Sequence, residues 1–144
     1  MASFVYNAFK HRQLGDTSLT PINLKTDTIK LALLTSSYTP DQDAHNFFDD
    51  ITNEVSNSGT YSAGGATLTV TTSQDDTDNE GVFDATDVSF TSATITARYA
   101  VIYKSTGTAS TSPLICLIDF GSNQTSTAGS FTITFAAEGI LNLA

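Results

Sequence analysis

The densest chemistry in this sequence is an acidic run at residues 76–87, DTDNEGVFDATD. Asp76, Asp78 and Glu80 hold the first, third and fifth places, Gly81 the sixth, Asp84 the ninth and Asp87 the twelfth. That is the alternation with which a loop wraps hard oxygen ligands around Ca²⁺. Two features oppose the calcium reading. Glu80 and Asp87 stand where such loops carry Asp or Asn and a bidentate Glu, and the flanking residues alternate as strands where the motif needs helices. The run therefore reads as an acidic hairpin turn, with a calcium loop as the alternative, and no cofactor is expected. Asp41, Asp43 and His45 are spaced by single residues as metal ligands can be, but one histidine without a confirming partner reads as a solvated loop. His11 and His45 are the only neutral-pH bases, and neither lies in a nucleophile motif. Asp49 and Asp50 are adjacent in sequence and read as exposed rather than as an acid/base dyad. Gly64-Gly65 reads as a turn and not a phosphate loop. Asn123-Gln124-Thr125 matches a glycosylation acceptor, which has no meaning without a secretory signal. Together these observations predict a protein that is not an enzyme.

Those side chains must be positioned by strands. Thr and Ser number twenty-four and sixteen, against twenty-one charged residues, a balance that suits strands with hydroxyl-bearing outer faces. The central stretch is residues 94–120. Ile95, Ala97, Tyr99, Val101 and Tyr103 alternate with polar or small residues and are expected to share one face. Leu114, Cys116, Ile118 and Phe120 oppose Ile115 and Leu117, so residues 114–120 read as a central strand buried on both sides. Cys116 is then a buried hydrophobe. Residues 28–35 and 66–72 alternate likewise, residues 82–85 and 88–90 return the chain across the acidic turn, and residues 131–135 and 140–143 supply the last strands. Residues 39–55 are expected to form a short helix or helical turn, and residues 121–129 a polar loop. The count is seven to eight strands with one or two short helices. The expected fold is all-β, an antiparallel β-sandwich of jelly-roll or Ig-like kind, with a small barrel as second choice. Its core is expected to include Ile95, Tyr99, Val101, Cys116, Ile118, Ile133 and Phe135.

At 144 residues the chain is one domain's worth, read as an N-terminal arm over residues 1–20 and a single sandwich over residues 21–144. Phe4, Tyr6 and Phe9 crowd the arm and need burial, against the chain's own sheet or a neighbouring subunit. Lys10, His11 and Arg12 follow them on a protein of net charge −9, so Phe4, Tyr6, Phe9, Lys10 and Arg12 are assigned to a partner contact. No Lys or Arg occurs from Leu31 to Ala97, where eleven carboxylates fall. Such a surface repels phosphate backbones, so nucleic acid is not an expected partner. No apolar run is long enough to span a bilayer, and a soluble protein made in the cytoplasm is expected.

Four blocks in consistent order carry a family resemblance: INLKTDTIKLALLTSSYTP (22–40), DQDAHNFFDDITNEVS (41–56), YSAGG (61–65) and RYAVIYKSTGTASTSPLICLIDFG (98–121). The chain resembles a family of small tailed-bacteriophage virion proteins. The resemblance implies a non-enzymatic structural component of the virion, foremost a decoration or cement protein. Such a protein would sit on the major capsid protein, as a homo-oligomer with a trimer favoured. A tail, collar or fibre-attachment component is one alternative, and a calcium-dependent carbohydrate-binding module for host attachment is another. The N-terminal twenty residues and the acidic turn lie outside the resemblance.

Overall fold

The computed structural model describes residues 2–144. In chain order the elements are β1 (Phe4–Val5), α1 (Asn7–Gln13), β2 (Ile29–Leu34), a 3₁₀ turn (Phe48–Asp50), β3 (Ala66–Thr67), β4 (Val70–Asp75), β5 (Glu80–Ala85), β6 (Val88–Lys104), a second 3₁₀ turn (Ala109–Thr111), β7 (Leu114–Ile133) and β8 (Leu141–Leu143). They form two open antiparallel sheets, β1-β7-β6-β2-β3 and β4-β5-β8. Among the described residues the fold is an all-β sandwich with eight strands and no closed barrel. The helix expected within residues 39–55 is a single 3₁₀ turn, because the Asp50 carboxylate accepts the N–H groups of Asn46 and Phe47 and closes the chain locally.

The large sheet is buried on both faces at its centre. Leu31, Leu33, Ala100, Ile102, Ile115 and Cys116 belong to one apolar cluster, shared with Phe83, Ala85 and Leu141 of the small sheet. Ala32, Leu34, Tyr99, Val101, Tyr103, Leu114 and Leu117 belong to a second cluster, covered by Tyr38, Phe48 and Ile51. Alternation along β2 puts apolar residues on both faces, whereas β7 departs from it at its start. Ile115 and Cys116 lie in the first cluster and Leu114 and Leu117 in the second, so the expected shared face of Leu114 and Cys116 is corrected, the ladder shifting between Ile102 and Tyr103.

Along β6 the alternation breaks between Phe90 and Ala93, both buried in the first cluster, and again at Arg98. Ile95 and Ala97 face the first cluster, but Tyr99, Val101 and Tyr103 face the second, so the expectation of one shared face is corrected. The cause is an irregularity at Arg98. Ala97 pairs with Gln124 and Tyr99 with Asp119, leaving Phe120, Gly121, Ser122 and Asn123 opposite Arg98 alone. Three more residues on β7 than on β6 interrupt the ladder there, and beyond the interruption the residues of β6 present the opposite faces. The Arg98 guanidinium reaches Asp119 with Nε at 2.6 Å from Oδ1, and Gly121, at φ +83°, donates its N–H to the same oxygen at 2.8 Å.

Three further expectations change. Residues 121–129 are not a loop, since β7 runs through them and resumes its ladder with β6 at Gln124. Residues 66–72 are not one strand, since Ala66 and Thr67 pair with β2 while Val70 opens the small sheet. Residues 88–90 begin β6 rather than closing the acidic hairpin. Of the expected core, Ile95, Tyr99, Val101, Cys116 and Ile133 are buried, whereas Ile118 and Phe135 are only half-buried.

Candidate interaction surface

The acidic run is a hairpin tip followed by a strand. β4 and β5 pair in register from Val70↔Ala85 to Asp75↔Glu80, so Asp76 and Asp78 sit in the turn while Asp84 lies far along β5. Five of these carboxylates have a local use. Asp75 Oδ1 accepts the N–H groups of Thr77 and Asp78, Asp76 accepts from the Gln74 amide, and Glu80 accepts from the Asn142 amide at 2.5 Å. Asp84 accepts the N–H of Ala85, and Asp87 ties down the N–H of Phe135 at 3.0 Å. An extended backbone spreads side chains that a calcium loop would gather, and no three His, Cys, Asp or Glu among the described residues are placed to hold a metal ion. Asp41 accepts the N–H groups of Ala44 and Asp43, which hold its carboxyl below the usual range, while Asp43 accepts from Asn7. His45 Nδ1 lies 2.7 Å from the Tyr38 hydroxyl, which in turn meets Tyr6, and His11 pairs with Asp16 at 3.2 Å.

The N-terminal residues assigned to a partner contact fall mostly inside the fold. β1 pairs with β7 through Phe4↔Leu117 and Val5↔Cys116, and Tyr6 donates its N–H to Ile115. Tyr6 and Phe9 are 0% and 1% exposed, Tyr6 in the second cluster and Phe9 in the first. Arg12 is buried as well, its Nη1 donating to the Thr20 carbonyl and its guanidinium lying 5.2 Å from the centre of the Phe47 ring. Residues 4–13 are thus part of the domain and not a separate arm. Phe4 keeps a partly open ring edge-on to Tyr6, and Lys10 is exposed. Sequence reasoning saw correctly that these aromatics must be buried. It left open the chain's own sheet and a neighbouring subunit and assigned the contact to a partner; Tyr6 and Phe9 are buried in the chain's own fold, against a strand that lies over a hundred residues away in sequence.

Buried hydroxyls brace the first sheet face. The Tyr61 hydroxyl donates to Glu54 Oε1 at 2.7 Å and accepts the Leu33 N–H at 2.9 Å, and the Tyr103 hydroxyl donates to the Gly64 carbonyl at 2.7 Å. Burial pushes the Tyr6 and Tyr61 hydroxyls well above the ordinary phenol range, and Tyr103 up to about 12. Burial likewise raises the Cys116 thiol to about 12, which keeps it protonated and inert at neutral pH.

What the sequence reading missed is a groove. Beyond Leu117, the edge of β7 that faces away from β6 has no strand beside it among the described residues. Asp119 N–H is capped by Ser3 Oγ, and past Gly121 the edge is open. Along it runs a groove of about 690 Å³ floored by Ile118, Phe120, Phe131, Ile133, Phe135 and Ile140, with Thr and Ser hydroxyls at its lip and no charged residue in its wall. The signal lay in residues 120–137, which contain no charge and no proline. At its far end the turn after β7 leads into a second concavity of about 510 Å³, walled by Asp75, Asp76, Asp78, Glu80 and Glu138.

The chain was compared with protein-family models, with curated proteins and with solved structures, and it matches none of them.

Proposed function

We propose that this chain is a non-enzymatic structural protein of a tailed-bacteriophage virion, foremost a decoration or cement protein bound to the major capsid lattice as a homo-oligomer. One observation carries the reading. The four sequence blocks that resemble the virion family, separated by up to sixty residues, come together in the fold as one unit. Residues 22–40 supply β2, residues 98–121 supply the paired halves of β6 and β7 beside it, and residues 41–56 cover the second cluster with Phe48 and Ile51. Residues 61–65 lock onto β2 through Tyr61 and Gly65.

The mechanism is burial of surface across joints between capsid subunits. Each bound copy stabilises the assembled state by mass action, and a charge-free groove beside an acidic surface offers both an apolar and a polar element to such a joint. The test is the number of copies in purified particles, measured by quantitative mass spectrometry. A lattice protein is present on the order of hundreds of copies per particle. Tens of copies would assign it to the tail, collar or fibre attachment instead, and absence from particles would defeat the virion reading.

A further inference from the structure

We infer that the open edge of β7 is a strand acceptor: residues 129–134 pair with an extended segment of another protein that is apolar at alternate positions and basic at one end. The inference does not rest on the virion reading and holds for any partner of that chemistry.

Three observations lead there. First, the edge itself is unguarded. Exposed sheet edges are commonly blunted by Lys, Pro, or a covering loop, because their unpaired N–H and C=O groups template pairing with other chains. Residues 129–134 have neither charge nor proline; the ladder to β6 is irregular at residues 120–123 and again between Ser126 and Phe131, and it is regular from Phe131 to Ile133. Six residues is the common length of a strand.

Second, the groove beside the edge is what an added strand's side chains would fill. Phe131 and Ile133 belong to the first cluster, while Ile118, Phe120, Phe135 and Ile140 are half-buried against it. The sandwich is therefore incomplete at this side: its apolar interior reaches the surface between β7 and the chain leading to β8. An incoming strand gains ladder hydrogen bonds from the edge and apolar burial from every second side chain.

Third, charge selects the occupant. The groove is neutral, but its lining residues Ala136 and Gly139 flank Ala137 and Glu138, which line the concavity walled also by Asp75, Asp76, Asp78 and Glu80. A segment leaving the groove there meets five carboxylates, so Lys or Arg beyond its apolar part is favoured and Asp or Glu is repelled. A second copy of this chain, at net charge −9, brings a like-charged surface to the same place.

The experiment uses the full chain and two synthetic peptides with one shared alternating valine–threonine core, the first flanked by arginines and the second by glutamates. Amide hydrogen exchange and titration calorimetry are read at low and high salt. The arginine-flanked peptide is expected to slow exchange at residues 129–134 and to bind about tenfold or more tightly than the other at low salt, the difference shrinking as salt rises. Replacing Ser130 and Thr134 together by Lys is expected to abolish binding with the melting temperature kept. If that variant is destabilised, Asp76→Asn with Glu138→Gln serves instead and is expected to remove the preference for arginine. Unchanged exchange at residues 129–134, equal affinity for the two peptides, or protection of that edge by self-association alone would overturn the inference.

Discussion

The same two strands live in two environments. Between Tyr99 and Lys104, β6 lies with β2 on one side and the first residues of β7 on the other, apolar clusters above and below it. Between Val88 and Ala97, β6 and the second half of β7 form a ribbon with one apolar face, carrying Phe90, Ile95, Phe131 and Ile133, and one hydroxyl face, carrying Ser89, Thr91, Thr94, Thr125 and Thr132. Arg98, Asp119 and Gly121 mark the joint. The contrast shows how one bulge divides labour along a hairpin: the two-sided half holds the fold together, and the one-sided half leaves an edge free to meet something else.

The sharpest way to break the two-sided half is Gly65→Ala. Gly65 adopts φ +75°, and a Cβ there would overlap the carbonyl oxygen of Leu31 on β2. Strain and clash together are expected to cost about 4 kcal/mol or more. Gly121, at φ +83° with open space around it, is the control: Gly121→Ala is expected to cost only about 1 kcal/mol, from backbone strain alone. Chemical denaturation of both variants tests the pair, and equal losses would remove the distinction between the halves.

Next in size is Phe9→Ala. With its ring 1% exposed and packed in the first cluster, truncation is expected to cost about 3–5 kcal/mol in the isolated protein. A loss seen only in assembled particles would return this residue to a partner contact.

Tyr61→Phe removes one hydroxyl, taking the acceptor of the Leu33 N–H and one donor of Glu54, which keeps the Gly64 N–H, for an expected cost of about 1–3 kcal/mol. The same buried phenols set an alkaline limit. Tyr103 is raised from 10 to about 12 and Cys116 from 9 to about 12, so burial favours their neutral forms. Their contribution is complete below the unfolded values and is lost as pH rises through the folded ones. Stability is expected to fall between about pH 9 and 12, with exchange accelerating first around β2 and residues 99–104 rather than in the outer ribbon. The Asp119 carboxyl behaves oppositely: the Arg98 hydrogen bond lowers it, so the joint holds above the ordinary carboxylate range and loosens as pH falls through the lowered value.

The smallest effect belongs to the acidic tip. Asp76→Asn combined with Asp78→Asn is expected to be neutral or slightly stabilising through relief of like-charge repulsion, within about 0.5 kcal/mol. Thermal unfolding in calcium and in chelator is expected to coincide. A calcium-dependent rise that the double substitution abolishes would restore the metal reading of Asp76, Asp78, Glu80, Asp84 and Asp87.

By itself, the sequence determined the class of fold and the strands of the core. Period-two alternation in residues 28–35, 94–104 and 131–135, and the doubly apolar run from Leu114, follow from side chains pointing to opposite faces of a strand, a rule that needs no knowledge of neighbours. It also determined that Phe4, Tyr6 and Phe9 require cover and that Cys116 is inert. Tertiary structure alone decided which surface supplies that cover, because β1 completes its burial on β7, and sequence patterning carries no record of pairing across such a distance. It decided too that the alternation of β6 reverses at Arg98. The bulge depends on four residues of β7 being accommodated opposite one of β6, and that count exists only once the strands are paired. The groove has the same origin: residues 121–129 read as a polar loop until β6 draws them into the sheet, and only then does the other edge of β7 become a surface without a partner strand.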